Sequence, residues 1–240
     1  MTKLYNELSK PGKKFALLID PDKYKVHTLI ATLYAADELK INLILVGGSL
    51  VSDRIDSTIE IIKKNTNIPV VLFPGSLMQL SNKADAILLL SLISGRNPEY
   101  LIGNHVIAAP YLKKSNLEII PTGYILVSTG KVTSVEYISN SRPIPADKHD
   151  LVVATAIAGE LMGNKLIYLE SGSGAENPLS AELIQEVKRN ISIPLIVGGG
   201  LRTPEQVSSI AKAGADMIVV GNAIENNLEL MNELVRALHY

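Results

Sequence analysis

Three glycine-rich segments, each directly after a short apolar run, have the composition of a ligand site. They cover residues 171–174, 198–200 and 221–222. Glycine lets a ligand approach the backbone closely, and backbone N–H groups at the start of a helix favour a phosphate. One glycine pair could simply turn a tight corner, but three similar segments together predict a phosphate site.

Asp20 and Glu170 are the acidic residues whose positions indicate chemistry. Asp20 ends an apolar run and precedes a proline that restricts the backbone, so its carboxylate should project with little freedom. Mg²⁺ commonly uses one or two carboxylates with phosphate oxygens and water, and the Ser49 hydroxyl could stand near such an ion. Glu170 precedes a glycine-rich segment, where a carboxylate can act as a general base on a ligand hydroxyl. The structural alternatives are a turn residue for Asp20 and a salt bridge for Glu170, and Ser49 alone indicates no function.

The chain contains eight short, nearly continuous apolar runs, which is the pattern of strands buried on both faces of a parallel sheet, and the residues named above stand at the ends of five of them. The predicted strands cover residues 14–20, 41–47, 68–73, 85–90, 124–128, 165–170, 193–198 and 216–221. Helical patterns between them cover residues 28–39, 56–64, 151–162, 180–188 and 204–213. Thr203 and Pro204 are typical of an N-cap followed by proline in the first turn. The alternation predicts an α/β protein with a (β/α)₈ TIM barrel, whose active site lies at the carboxyl ends of the strands.

The spacing of the strands predicts one irregular place in this barrel. The third and fourth strands end at residues 73 and 90, which leaves too little room for a full helix between them. The third helix should therefore be shortened or missing, whereas longer connections precede the fifth and sixth strands. No linker or low-complexity tract divides the chain, so residues 1–240 are predicted to form a single domain.

Composition excludes several classes of protein. The chain has 23 Lys and Arg against 24 Asp and Glu, so no nucleic-acid partner is expected. At 47% hydrophobic residues it is too apolar to be disordered. It has no cysteine, so a metal would need oxygen or imidazole ligands, and its four histidines lack metal-ligand spacing. No apolar run approaches the ~20 residues that span a bilayer, and we expect a cytoplasmic protein.

Five segments resemble the geranylgeranylglyceryl phosphate synthase family, which includes bacterial heptaprenylglyceryl phosphate synthases. They are LLIDPDK at 17–23, VGGS at 46–49, YLESGSGA at 168–175, VGGGLR at 197–202 and VGNAI at 220–224. The resemblance implies a Mg²⁺-dependent prenyltransferase of ether-lipid synthesis. Such an enzyme joins the sn-3 hydroxyl of sn-glycerol-1-phosphate to a prenyl diphosphate and releases diphosphate. Leu18 stands where the heptaprenyl-type relatives carry lysine. This difference favours geranylgeranyl diphosphate as the donor and membership of the archaeal-type group, which also has bacterial members.

The same resemblance implies roles for individual residues. Asp20 and Ser49 would hold Mg²⁺, and Glu170 would be the base and also contact the substrate. The other residues expected to bind glycerol phosphate are Tyr168, Leu169, Ser171, Gly172, Ser173, Gly174, Gly199, Gly200, Gly221 and Asn222. The family also implies a homo-oligomer and transient membrane contact during release of the lipid product.

The prenyl chain is expected in an apolar groove toward the reduced third helix. The apolar residues Leu77, Met78 and Leu80 agree with this expectation. Tyr100 could close the far end of the groove and limit chain length, with a tyrosine of the core as the structural alternative.

Two other functions remain open at this point. Another phosphate-binding barrel enzyme, an isomerase or lyase, would need its own acid–base pair at strand ends, and beyond Glu170 and the Asp20/Asp22 cluster the sequence offers none. A non-catalytic phosphate-ligand binder would tolerate replacement of Asp20 and Glu170 with little effect on ligand affinity.

Overall fold

Eight parallel strands close into a barrel in the computed structural model, which describes residues 4–52, 55–172, 174–175, 177–225 and 227–238. The strands are β1 (Lys14–Ile19), β2 (Leu43–Val46), β3 (Val70–Leu72), β4 (Ala86–Leu92), β5 (Glu118–Ser128), β6 (Leu166–Glu170), β7 (Leu195–Gly198) and β8 (Met217–Val220). Each strand pairs with the next, and β8 pairs with β1. The predicted (β/α)₈ barrel is therefore confirmed.

Side chains along each strand alternate between the barrel interior and an outer layer beneath the helices. In β6, Tyr168 packs in the interior, whereas Leu169 packs in the outer layer. In β8, Val219 faces inward and Ile218 outward in the same way. Because both layers are buried, each strand is a nearly continuous apolar run, which is the pattern that predicted the strands.

The helices surround this sheet. They are α1 (Leu4–Leu8), α2 (Val26–Glu38), α3 (Ile55–Asn65), α4 (Asn104–Lys114), α5 (Ser134–Ser139), α6 (His149–Leu161), α7 (Ala181–Asn190), α8 (Pro204–Ala213), α9 (Asn222–Glu225) and α10 (Leu228–Ala237). The α8 helix has its predicted bounds. The Thr203 hydroxyl accepts from the N–H of Gln206, whose side chain accepts from the N–H of Thr203, so a capping box fixes the start of the helix.

The helix that would follow β3, which is the third helix of the predicted barrel, is absent, as the spacing predicted. The helix labelled α3 follows β2. Between β3 and β4, where every residue is described, the helical structure consists of one 3₁₀ turn, Leu77–Gln79. The full helix that would pack between the outer faces of β3 and β4 is therefore missing. Between β4 and α4 the chain forms a short π-helical segment, Glu99–Gly103.

The fifth strand begins earlier than residue 124, where it was expected to start. It spans Glu118–Ser128 and pairs with β4 from Ala86↔Glu118 to Leu92↔Tyr124. Pro121 stays within the strand because its carbonyl still accepts the N–H of Lys165 at 2.8 Å. The long connection after β5 holds α5 and a two-residue strand, Ile144–Pro145, which pairs with the end of β5.

The amino-terminal end of the barrel is closed by α1. The Glu118 carboxylate accepts the N–H groups of Leu4 at 2.5 Å and Tyr5 at 3.1 Å, and Leu8 packs into the interior cluster. In the described part of the chain, no helix combines the length and the hydropathy that crossing a membrane requires.

Candidate active site

A cavity of about 550 Å³ opens at the carboxyl ends of the strands, and we call it the mouth cavity. Its polar and glycine lining comes from the last residues of β6 and from loops after six of the described strands, and includes Asp20, Asp22, Lys23, Gly48, Ser49, Ser134, Tyr168, Glu170, Gly174, Gly199, Gly200, Arg202, Gly221, Asn222 and Glu225. Residues far apart in sequence meet here because parallel strands of a barrel all end at the same rim.

Glu170 is the most deeply buried carboxylate in the lining of this cavity. Its Oε1 atom accepts the N–H of Gly172 at 2.7 Å. Burial raises the pKa of Glu170 to about 7, although the Gly172 N–H and the Tyr168 hydroxyl oppose this shift. A carboxyl group with a pKa near neutrality can take up and release a proton during a reaction.

Three aromatic rings stand at the inner end of the mouth cavity. Tyr168 stacks on Phe73 with centroids 5.2 Å apart and lies 5.3 Å from Tyr124, while Phe73 and Tyr124 are 6.0 Å apart. The buried Tyr168 hydroxyl lies too far from every described residue, or at too poor an angle, for a regular hydrogen bond. It is still close enough to Glu170 to lower the pKa of that carboxyl. The cluster combines an apolar wall with two tyrosine hydroxyls, and the charge of Glu170 helps to raise the pKa of both Tyr124 and Tyr168.

Some residues predicted to bind glycerol phosphate do not line the mouth cavity. The Leu169 side chain lies in the outer layer. The Ser171 hydroxyl is buried and donates to the carbonyl of Gly198 at 3.3 Å, and Gly172 is likewise absent from the described lining. Ser173 lies outside the described residues. The predicted residues that do line the cavity are Tyr168, Glu170, Gly174, Gly199, Gly200, Gly221 and Asn222.

Asp20 and Ser49 lie in the opposite wall of the mouth cavity. The Asp20 Oδ1 atom accepts the N–H of Asp22 at 3.1 Å, and a Cβ atom built at Gly48 would lie 3.1 Å from Oδ2. Burial raises the pKa of Asp20, and the negative charge of Asp22 adds to this effect. A bound cation would offset both causes.

The oxygen donors of this wall fit a magnesium ion that is held mainly by phosphate oxygens of a ligand. No group of three His, Cys, Asp or Glu side chains within the described ranges is arranged to enclose a metal. Mg²⁺ keeps several waters and commonly takes one or two protein carboxylates plus phosphate oxygens, so Asp20 with Ser49 nearby is a sufficient donor set. Asp22 has a structural role, because its Oδ2 atom accepts the N–H and hydroxyl of Ser52 at 2.8 and 2.6 Å.

An apolar groove leaves the mouth cavity where the third helix is missing. The two share Gly48, Ser49, Phe73, Tyr124 and Val135. The groove runs between the 3₁₀ turn and α4, and its other lining residues include Leu77, Leu80, Ile87, Leu89, Tyr100, Asn104, His105, Ala108 and Leu112.

The residues expected around this groove are only partly in its wall. Leu77 and Leu80 line it, because residues three apart share a face of a 3₁₀ turn. The prediction that Met78 lies around the groove is wrong, because its side chain is 88% exposed and does not line the groove. Tyr100 is half-buried in the groove wall, so a role in limiting chain length stays a prediction.

Several lining residues were not identified from the sequence. Phe73 is the last residue of a predicted strand and could have been found by the strand-end rule. Arg202 lies in a resembling segment, and its guanidinium donates to the carbonyl of Ala175 at 2.7 Å. His105 lines the groove and hydrogen-bonds Ser91 across 3.0 Å, and burial lowers the pKa of its imidazole. No local pattern marks His105.

Comparison with known proteins agrees with this geometry. Residues 9–238 match the PcrB family. A geranylgeranylglyceryl phosphate synthase from Chitinophaga pinensis is 48% identical over 242 residues, covering 99% of this chain and 96% of that protein. One from Pyrococcus furiosus is 41% identical, covering 93% and 88%. The crystal structure of (S)-3-O-geranylgeranylglyceryl phosphate synthase from Thermoplasma acidophilum, in complex with its substrate sn-glycerol-1-phosphate, has a TM-score of 0.94 at 33% identity and 99% coverage of both chains.

Proposed function

The chain belongs to the PcrB family and is a prenyltransferase of the geranylgeranylglyceryl phosphate synthase type, and we propose that it joins its two substrates where the mouth cavity meets the apolar groove. The sn-3 hydroxyl oxygen of sn-glycerol-1-phosphate bonds to C1 of geranylgeranyl diphosphate, while the bond from C1 to the diphosphate oxygen breaks. The products are the ether, diphosphate and one proton. The observation that carries this proposal is the continuity of a polar cavity with an apolar groove, which suits a donor with a charged head and a hydrocarbon chain.

Glycerol phosphate would bind on the side of the mouth formed by β6, β7 and β8. The glycine-rich ends of these strands let a phosphate approach the backbone. Glu170 would accept the proton of the attacking hydroxyl. Its Oε1 atom is held by the N–H of Gly172, so Oε2 is the oxygen that we assign to this step. A pKa of about 7 leaves a substantial fraction of the carboxylate ionised at neutral pH.

The donor would bind on the other side, with its chain in the groove and its diphosphate near Asp20. Asp20, with Ser49 beside it, would hold Mg²⁺, which when bound neutralises charge on the leaving diphosphate. As the bond at C1 breaks, positive charge develops on an allylic carbon. The rings of Phe73 and Tyr124, which line both the mouth cavity and the groove, can stabilise this charge and exclude competing water.

An isomerase or lyase acting on a small phosphorylated substrate would leave the groove unused. A phosphate-ligand binder would have no use for a buried base with a pKa near neutrality. Neither alternative accounts for Phe73 and Tyr124 at the junction, so the structural observations favour prenyl transfer over both.

The test is transfer of labelled glycerol phosphate into a lipid. The protein is incubated with Mg²⁺, radiolabelled sn-glycerol-1-phosphate and, separately, farnesyl, geranylgeranyl or heptaprenyl diphosphate, and each mixture is extracted with organic solvent. We expect label in the organic phase, most with the geranylgeranyl donor, and little after addition of EDTA. If glycerol phosphate binds but no donor moves label, the protein is a binder and the proposal is wrong.

A homo-oligomer, a cytoplasmic location and membrane contact during product release stay predictions. The oligomer has some support from α6, whose outward face carries Leu151, Ala154, Ala158 and Leu161 at helical spacing. Leu161 is 83% exposed in the single chain, and burying such a stripe against a second copy would remove apolar surface from water.

A further inference from the structure

Gln79 is a buried amide that joins two strand-end loops. It ends the 3₁₀ turn that replaces the third helix, and it is only 2% exposed. Its Oε1 atom accepts the N–H groups of Gly48 and Gly75, each at 3.2 Å, and its Nε2 atom donates to the carbonyl of Gly48 at 2.7 Å. One side chain therefore holds both the N–H and the C=O of Gly48, which lies 31 residues away in sequence.

The loops around this amide are packed without spare room. A Cβ atom at Gly75 would overlap the carbonyl oxygen of Gly48, so the loops after β2 and β3 touch backbone to backbone. No described residue other than Gln79 hydrogen-bonds its side chain to the backbone of Gly48. Loss of the amide would leave three half-buried backbone groups, the N–H and C=O of Gly48 and the N–H of Gly75, without their present partner, which favours a shift of the loop.

The segment that Gln79 holds is where the two parts of the proposed donor site meet. Gly48 and Ser49 line both the mouth cavity and the groove, and the Asp20 carboxylate lies against Gly48. Leu77 and Leu80, on either side of the amide in sequence, line the groove. The short turn thus forms a wall for the hydrocarbon chain and fixes the backbone beside the diphosphate.

We infer that Gln79 is a positioning residue for the prenyl diphosphate, acting through Gly48 and Ser49 and lining neither cavity itself. This inference rests on the prenyl transfer proposed above. Misplacement of a reacting group by about 1 Å can cost about 10²-fold in rate. Glycerol phosphate is assigned to the β6–β8 side of the mouth, so replacing Gln79 should affect the donor and spare the acceptor.

The first experiment compares Gln79→Met, which keeps approximate size and loses all three hydrogen bonds, with the wild type. We expect kcat/KM for geranylgeranyl diphosphate to fall 10- to 100-fold, while the dissociation constant of glycerol phosphate stays within twofold. Thr66→Val is the matched control. Thr66 is also buried and holds Asp37 and the N–H of Ile68, but near the amino-terminal end of β3. Thr66→Val should lower the melting temperature without affecting donor kinetics more than glycerol phosphate binding.

The second experiment uses Gln79→Glu. A protonated carboxyl reproduces the two acceptor contacts and the one donor contact of the amide, whereas an ionised one cannot donate to the Gly48 carbonyl. The ratio of variant to wild-type kcat/KM for the donor should therefore rise as pH falls from 8 to 5.5. Taking the ratio removes the pH dependence that both proteins share.

The outcomes separate the two proposals. A wild type that forms no product overturns the prenyl transfer and this inference with it. Two results with an active wild type would overturn only the inference. In the first, Gln79→Met leaves kcat/KM for the donor unchanged. In the second, Gln79→Met weakens both donor kinetics and glycerol phosphate binding in proportion to the loss of folded protein. Should Gln79→Met fail to fold, a flat ratio for Gln79→Glu across the pH range has the same consequence.

Discussion

Gly199 lies directly against the carboxylate of Glu170, so that a Cβ atom at Gly199 would overlap both Oε1 of Glu170 and the hydroxyl of Ser171. The φ angle of Gly199 is +86°, a conformation that other residues rarely adopt. The end of β7 is thus shaped around the candidate base at the end of β6. Gly199, predicted from sequence as part of a phosphate site, therefore has a second role, which is to leave space for the Glu170 carboxylate.

Gly199→Ala should therefore move the Glu170 carboxylate and the backbone beside it. We expect kcat/KM to fall about 10²-fold, because general-base catalysis depends on the distance to the reacting hydroxyl. Gly163→Ala is the control, since Gly163 has a φ of +91° but no atom within 4 Å of its Cβ position. Equal losses of activity in the two variants would mean that backbone strain alone is responsible.

Glu170→Gln keeps the size of the side chain and removes its ability to accept a proton. Turnover should drop by about 10²- to 10⁴-fold, the range typical of general acid–base catalysis. Calorimetric titration should give a dissociation constant for glycerol phosphate within about threefold of the wild type, because the amide oxygen can still accept the N–H of Gly172. A variant with near-normal turnover would remove Glu170 from the mechanism.

The same substitution should stabilise the protein in a pH-dependent manner. The folded-state pKa of Glu170 is about 7 against an ordinary value of 4.5, so between these values the native state binds more protons than the unfolded state. The free energy of unfolding therefore falls as pH rises through this window, by roughly 3 kcal/mol for this group. Glutamine does not titrate, and Glu170→Gln should gain up to that amount over the wild type at pH 8 and little at pH 4.5.

Denaturant unfolding at the two pH values measures this difference. Glu182→Gln, at an exposed position on α7, serves as the comparison. A Glu170→Gln variant whose stability relative to the wild type is the same at both pH values would show that burial does not disfavour the ionised carboxylate.

Asp20→Asn should weaken the dependence of activity on Mg²⁺. The amide is neutral and binds a hard cation less well than a carboxylate, although it can still accept the N–H of Asp22. Turnover measured against Mg²⁺ concentration should show a reduced maximum and a shallower response. Asp147→Asn, at an exposed position near α6, should leave the curve unchanged. An unaltered curve for Asp20→Asn would place the ion elsewhere.

The barrel was predictable because both of its layers are buried, which makes every strand a continuous apolar run. Parallel strands then bring Asp20 and Glu170 to one rim whatever their separation in sequence. The direction of each strand-end residue also follows from alternation, since Tyr168 and Glu170 face inward and Leu169 must face outward. The resemblance implied glycerol phosphate contacts for all of residues 168–174, and that prediction disregards the alternation.

Other features could not be obtained from the sequence in this way. The contacts of Gln79 join three backbone groups from two loops, and no local pattern marks such a residue. The early start of β5 depends on pairing with β4 and β6, which overrides the usual effect of Pro121. Both depend on tertiary neighbours rather than on the residue's own segment.

The apolar groove gives a test of donor length that does not involve the polar site. Ala108 is buried on α4 and lines the groove, so Ala108→Phe should fill part of it. We expect the ratio of kcat/KM for farnesyl over geranylgeranyl diphosphate to rise at least tenfold, with glycerol phosphate binding unchanged, because a shorter chain needs less of the groove. Ala109→Phe adds the same ring on the exposed side of the same helix and should leave the ratio as in the wild type. If Ala108→Phe lowers activity equally with both donors, the chain lies outside this groove.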